Sequence, residues 1–509
     1  MKRRPLLSLG LLAAATGAWA QEGPNIVLFL VDDMGLMDTS VPFLTDAAGR
    51  PVRYPLNDWY RTPNMERLAA QGTRFSQFYA QGVSSPSRAS LMTGQDAARH
   101  RVTNWIRSES NNRDEYGPYD WNWEGLHSSD WTLPRILRMD GYRTIHVGKG
   151  HFGPFGSEGE RPENLGFEVN IAGSSIGEPG SYFGENGYGL LRGTRSRAVP
   201  GLEKYHGTDT FLTEALTLEA MAQIDTAVAA GRPFFLYLSH YAVHNPFETD
   251  PRFSAHYQDP AFSQAARGYA TLIEGMDKSL GDILDHLETL GIAENTLVVF
   301  LGDNGSDAPL GDAGDIGSSA PLRGKKGSEF EGGTRVPCII AWARPDGQNR
   351  WQLRLPVRSG AVSTRVGTLM DLYPTLVRAV GGAPVPPGYP LDGWSLHAIL
   401  GGWDDPQRPD DRFLNHFPHA HRGSYFTSWR HGPWKLIYYY HPEQPDAPRC
   451  VLYHLEKDPS ESRDVLRRHP RLARRLLQEM IERLDRENAC YPVDAEGRSL
   501  RPRLEALRH

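Results

Sequence analysis

Cysteine is scarce in this chain: three residues in 509, too few for a disulfide scaffold. In an oxidising compartment Cys450 and Cys490 either pair or remain thiols, and Cys338, inside the apolar run from Pro337 to Ala343, reads as buried. Long hydrophobic runs are also missing. Beyond the first twenty residues no stretch is long and apolar enough to cross a bilayer, so no membrane span is expected in the mature chain. Neither charge sign dominates, with 55 Lys and Arg against 61 Asp and Glu and a net charge of −6, which argues against a nucleic-acid partner. Internal repeats and low-complexity tracts are absent. What remains is a globular protein whose length implies a large domain followed by a smaller one.

The N-terminus has the three parts of a secretory signal peptide: Met1-Lys2-Arg3-Arg4, an apolar stretch from Leu6 to Ala18, and Ala18-Trp19-Ala20 as a cleavage site. It predicts a segment 1–20 that is removed and a periplasmic or secreted destination. Prolines and glycines from Pro384 to Gly402 mark the next boundary, giving a catalytic domain over 21–400 and a C-terminal subdomain over 401–509.

Two strands carry the strongest pattern. Asn25 to Val31 and Thr296 to Leu301 are continuous β-rich apolar runs, as expected of strands buried on both faces. Each ends abruptly in oxygen-bearing side chains, Asp32-Asp33 in the first case and Asp303-Asn304 in the second. Ligand sites of open α/β sheets form at such C-terminal ends, and adjacent carboxylates repel unless a cation or basic groups lie between them. Together these residues offer an all-oxygen shell for one divalent cation, Ca²⁺ with a larger ligand set or Mg²⁺ with a tight octahedral one. Strands are also predicted over Thr73–Tyr79, Gly141–Val147, which runs into Gly148-Lys149-Gly150-His151, and Pro233–His240, which is followed by His244-Asn245-Pro246. Helices are predicted over Thr132–Met139, Thr208–Ala230, Tyr269–Leu290, Val366–Val380 and Arg471–Leu484, and an antiparallel pair over Trp434–Tyr440 and Val451–Leu455. The tail beyond Pro492 reads as poorly ordered.

The chemistry centres on Ser84-Ser85-Pro86-Ser87-Arg88, followed by Leu91-Met92-Thr93-Gly94. Pro86 suits the first turn of a helix, and a side chain just ahead of that turn lies near unsatisfied N–H groups that attract an anion. On its own this stretch is also an ordinary N-cap. Its company changes the reading. Ser84-x-Pro86-x-Arg88 with its downstream Thr-Gly resembles the sulfatase signature of the alkaline phosphatase superfamily. Lys149-x-His151 is similar to that family's Gly-Lys-x-His motif, His244-Asn245-Pro246 to its His-x-Pro, and Leu322-Arg323-Gly324-Lys325-Lys326-Gly327 to its Leu-Arg-Gly-x-Lys-Gly. These separated motifs fall in the family's order. Two departures are visible: Gln95 where many members carry a basic residue, and Gly150 where Trp is usual.

The resemblance implies an α/β fold with a large central mixed β-sheet flanked by helices, and a smaller C-terminal α+β domain containing an antiparallel sheet. It implies formylglycine formed from Ser84 by a maturase before export, whose hydrate attacks sulfur. Asp32, Asp33, Asp303 and Asn304, with the oxygen of residue 84, are then the metal ligands, and Asp303 is a candidate acceptor of the nucleophile's proton. Arg88 and Lys149 orient the hydrate, His151 deprotonates it, and His244 and Lys326 hold the sulfate and serve the leaving oxygen. The substrate implied is a sulfate ester, with sulfated carbohydrate suggested by export and by aromatic loops. Sugar contacts are expected from His100, in the basic and aromatic segment Ala98–Trp105, where the competing reading is a solvated surface loop, and from His416, His419, His421 and Arg422, where it is a stabilising interdomain polar cluster. Two rivals stay open: a phosphoesterase using unmodified Ser84, and a non-catalytic carbohydrate-binding protein.

Overall fold

A computed structural model describes residues 23–312, 317–382, 385–409, 411–423, 425–441 and 447–508. The expected signal segment 1–20 lies outside them. In chain order the strands are β1 Asn25–Val31, β2 Gly72–Phe75, β3 Phe78–Tyr79, β4 Arg143–Gly148, β5 Val169–Ile171, β6 Phe234–His240, β7 Thr296–Gly302, β8 Cys338–Trp342, β9 Ala361–Ser363, β10 Gly367–Thr368, β11 Arg412–Phe417, β12 Phe426–His431, β13 Trp434–Tyr439 and β14 Cys450–His454. Eight form one mixed sheet in the order β5-β4-β6-β1-β7-β8-β2-β9.

The continuous apolar reading of β1 has a simple cause. Its side chains alternate between two cores, with Val27, Phe29 and Val31 on one face and Ile26, Leu28 and Leu30 on the other. Both faces are covered by helices, so polar residues are excluded along the strand and reappear only where it ends. The long helix Gln264–Thr289 sends Leu272, Ile273, Met276, Leu280 and Ile283 into the first core. The helix Leu369–Val380 contributes Leu372, Tyr373 and Leu376 to the second.

Register brings the motif ends together. Val31 pairs with His240 on β6 and with Gly302 on β7, both parallel, and Gly148 of β4 pairs with Ser239. Four strands therefore finish at one rim. β8 runs antiparallel to β7, and β2 antiparallel to β8, so β2 also heads toward that rim before the chain reaches Ser84. The segment joining β7 to β8 leaves and re-enters the sheet there, which keeps Lys326 on the same side.

The second sheet is antiparallel, β11-β12-β13-β14. One face, with Leu414, Trp429, Leu436 and Leu452, packs on Leu476, Leu477, Met480 and Leu484 of the helix Pro470–Glu487. The other, with Phe417, Phe426 and Ile437, meets Val83 and Phe330 of the large domain.

Several expectations need correction. The predicted strand Thr73–Tyr79 is two short strands, because β2 pairs with β8 and β9 in the large sheet whereas β3 pairs with β10 in a separate two-stranded sheet. Cys450 and Cys490 are both free thiols, buried in apolar surroundings. The tail beyond Pro492 is not loose: Val493 bridges Ser499, and Leu500, Leu504 and Leu507 pack on the small domain's core. That core supplies the apolar contact that the polar tail sequence conceals.

Candidate active site

The helix Ser84–Thr93 begins at Ser84, so this residue occupies the first helical position rather than the turn ahead of it, and Val83 is the cap. All ten helix residues are buried, which fixes the Ser84 hydroxyl against the sheet rim. Its Oγ donates to Asp32 Oδ1 at 2.9 Å and lies 3.2 Å from Asn304 Oδ1. Lys149 Nζ reaches the same oxygen at 3.3 Å and Asp32 Oδ2 at 2.6 Å. The hydroxyl thus bonds Asp32 and Asn304.

Asp303 is engaged elsewhere. Arg88 Nε and Nη2 both donate to its Oδ2, at 3.0 and 2.8 Å, and the Asp33 N–H donates to its Oδ1 at 3.0 Å. Arg88 spends its third nitrogen on Ser239 Oγ and the Lys149 carbonyl. Its guanidinium therefore holds Asp303 and the β4 end. Lys326 Nζ donates to Asp33 Oδ2 at 2.8 Å, and Asn304 Nδ2 to Asp33 Oδ1 at 2.9 Å. Its loop is pinned by Lys326 N–H to the Ser306 carbonyl and by Gly327 N–H to the Gly82 carbonyl. Gly35 permits the closeness of the two acidic turns, since a Cβ there would stand 2.5 Å from the Ser306 nitrogen.

Carboxylate oxygens of Asp32, Asp33 and Asp303 lie within 4.8 Å of one another, all buried. Arg88, Lys149 and Lys326 balance their three charges. Burial pushes the Asp32 carboxyl up to about 8 against the pull of Lys149. Burial acts on Asp33 too, but Lys326 and His244 outweigh it and hold that carboxyl below its usual range. At Asp303, Arg88 and Lys149 do the same. Burial drives Lys149 below its usual range, with Asp32 opposing. Three buried carboxylates and an amide oxygen are hard donors, and they fit a hard dication; adding one would leave the cluster with a net charge near +2 to meet an anion.

Two histidines complete the rim. His151 Nε2 contacts the Ile106 carbonyl at 2.7 Å, and since a carbonyl only accepts, that nitrogen carries the proton. Nδ1 is then the basic nitrogen and is unpartnered. Burial keeps the ring well below its normal pKa, so it stays neutral. His244 Nε2 lies 3.5 Å from Asp33 Oδ2, and burial with Lys326 nearby lowers it to about 4.

These groups open into a cavity of about 240 Å³ lined by Ser84, Lys149, His151, His244 and Lys326 and also by His421 and Arg422. His100, His416 and His419 are not among its walls. Both ring nitrogens of His100 are used by Ser90 and the Val102 N–H. His416 is buried between Thr427 and the Cys490 carbonyl, and His419 between Thr103 and Asp114. Of the three, only His419 bridges the two parts of the chain, through Thr103, with its Nδ1 3.6 Å from Asp114 and without a hydrogen bond; His100 and His416 are held by partners within their own parts. Sequence reasoning missed Asp307, paired with Arg422 by two hydrogen bonds, as well as Glu178 and Arg197 on the cavity wall. Asp307 lies four residues past Asp303, but nothing in the sequence ties it to Arg422.

The sulfatase family profile matches residues 24–382. The chain is 32% identical to N-acetylgalactosamine-6-sulfatase of Mus musculus over 77% of this chain and 68% of that one. It is 29% identical to arylsulfatase A of Homo sapiens, over 90% and 86% respectively. Among solved structures, Ps i-CgsB is similar with a TM-score of 0.69 and 25% identity, covering 91% of this chain and 93% of that one.

Proposed function

The chain belongs to the sulfatase family and is a sulfuric ester hydrolase, and from that premise we propose that it removes sulfate from carbohydrate esters by means of a formylglycine derived from Ser84. The observation that carries the reading is the Ser84 oxygen held between Asp32, Asn304 and Lys149 above three clustered carboxylates. A sulfate monoester bears one negative charge on a tetrahedral centre, and attack at sulfur requires that charge to be held while the bridging oxygen departs. An ordinary serine would finish as a stable sulfate ester. An aldehyde hydrate supplies a second hydroxyl, whose deprotonation expels sulfate without water attacking the ester.

In this proposal Asp32, Asp33, Asp303 and Asn304, with the oxygen of residue 84, hold one divalent cation, Ca²⁺ in preference to Mg²⁺, which when bound polarises the sulfate oxygens. Lys149 orients the residue 84 oxygen. His151 Nδ1, neutral and unpartnered, takes the proton of the second hydroxyl. Lys326 and His244 hold the sulfate and deliver a proton toward the leaving oxygen. Arg422 and His421, from the small domain, contact the sugar. The N-acetylgalactosamine-6-sulfatases among the relatives support a sulfated sugar as the substrate. The signal-like N-terminus supports maturation before export and a periplasmic or secreted location.

Mass spectrometry of the peptide containing Ser84 tests the modification: a species lighter by two hydrogen atoms is expected, together with loss of sulfate release in Ser84→Ala at unchanged folding. Full turnover by protein whose residue 84 is entirely serine would defeat it and favour the unmodified-serine phosphoesterase chemistry.

A further inference from the structure

Far along the chain from the catalytic motifs, Arg463 to Arg475 carries six arginines and a histidine against one acid, Asp464, in a protein whose net charge is −6. The structure leaves those arginines at the surface: 463, 467, 468, 471, 474 and 475 are all exposed. Among the described residues, Arg463, Arg467, Arg468, Arg471 and Arg474 have no carboxylate partner, and Arg475 reaches Glu479 only at 3.7 Å. The acids nearby are otherwise employed. Asp464 accepts from the N–H groups of Leu452 and Leu466, Asp458 closes a turn with Ser460, Ser462 and the Arg463 N–H, and Glu461 is buried against Lys435. Arg471, Arg474 and Arg475 also sit in the first turns of the helix Pro470–Glu487, whose first turn holds no acid and where positive charge is disfavoured by the helix dipole. Such an arrangement repels itself until an anion arrives.

Beside it lies a depression of about 440 Å³ lined by Trp434, His454, Lys457, Arg463, Arg468 and His469. The Trp434 ring is flanked by His454 and His469, with centroids 4.4 and 4.9 Å away. An aromatic cluster bordered by guanidinium groups offers ring contacts and charge-assisted hydrogen bonds to a pyranose carrying acidic substituents. The turn that bears Arg463 is tied through Glu461 to the Glu331 N–H and to Arg323, at the foot of the loop that carries Lys326.

We infer that the Trp434 depression and the arginines of 463–475 form a second, non-catalytic binding surface for the polyanionic chain of a sulfated polysaccharide. Held there, a polymer presents its esters at raised local concentration to the site on the same molecule. The inference rests on the sulfated-carbohydrate reading, but its test is separate from hydrolysis.

Binding of the full-length protein to dextran sulfate, with unsulfated dextran as control, is measured by affinity electrophoresis at increasing NaCl. The triple variant Arg467→Ser, Arg468→Ser, Arg471→Ser is expected to bind about tenfold or more weakly with a flatter salt dependence, since fewer counterions are released. Its turnover of a small aryl sulfate should equal wild type, and the corresponding triple Lys variant should recover most of the binding. Trp434→Ala should weaken binding as well, in protein of unchanged melting temperature. Unaltered dextran sulfate binding in the triple variant would overturn the inference, as would loss confined to Lys326→Ala, which would locate the polymer in the catalytic cavity. Tighter binding of duplex DNA or of phosphatidylserine vesicles than of dextran sulfate would also overturn it. Wild type inert on every sulfate ester yet retaining patch binding would sink the hydrolytic reading alone.

Discussion

Ser84 and His151 show how little a residue type means before its neighbours are known. Ser84 stands 3.3 Å from Lys149 and among carboxylates that are themselves paired with Arg88 and Lys326. His151 gains a defined tautomer from one carbonyl, and His151→Ala is expected to lower turnover about 10²–10⁴-fold with little effect on the binding of inorganic sulfate, checked by steady-state kinetics and product inhibition. The clustered carboxylates give a second prediction. A divalent cation that binds only the folded protein stabilises it by about 2.7 kcal/mol when present at about 100 times its dissociation constant. Thermal melts in CaCl₂, MgCl₂ or EDTA should show this gain for wild type and its loss in Asp33→Asn.

Among the elements, the join between the small sheet and the large domain is the most exposed to single changes. Lys435 on β13 is buried between Glu331 at 3.2 Å and Glu461 at 2.9 Å, while Tyr79 on β3 donates to Glu331 at 2.6 Å. Removing the cation leaves two carboxylates buried together. Lys435→Ala is therefore expected to cost about 3–5 kcal/mol in chemical denaturation, and a smaller loss would mean that water enters the join. The same join positions Arg422 and His421 over the cavity. Within the large sheet, Phe29→Ala on β1 should cost about 3–5 kcal/mol, because no helix covering that face can collapse into the space.

At the scale of the whole molecule, histidines buried as neutral rings make the fold acid-sensitive. His240, on β6 against Ser279, is held by burial at about 3, and His416 at about 4. Both lie below the unfolded value of about 6.5, so the unfolded chain binds protons first as pH falls. Their contribution is complete above about pH 6.5 and is lost progressively down to about pH 4 for His416 and about pH 3 for His240, at about 2 kcal/mol per ring by pH 5. Melting temperature should drop over that window, and His416→Gln, which can still serve Thr427 and the Cys490 carbonyl, should reduce the slope.

Much of the architecture was legible in the chain itself. β1 and β7 stand out because a strand covered on both faces admits no polar residue until it ends, and the acids at those ends follow directly. The helices Gln264–Thr289 and Pro470–Glu487 are equally plain from their apolar stripes. Strands such as β5, β9 and β10 were invisible because two or three residues carry no period. Histidines were misjudged for a related reason: His100, His416 and His419 resemble His421 in sequence, and only the folded arrangement, with partners from 2 to 316 residues away, decides which ring faces the cavity and which is held inside the fold. Sequence alone determined where the long, doubly covered strands run and stop and which polar groups stand at their ends, since those depend on local burial and spacing. Tertiary structure decided which of those groups meet, whose charge neutralises whose, and which basic residues are left without a partner, since each is a matter of distance between parts of the chain that are not neighbours along it.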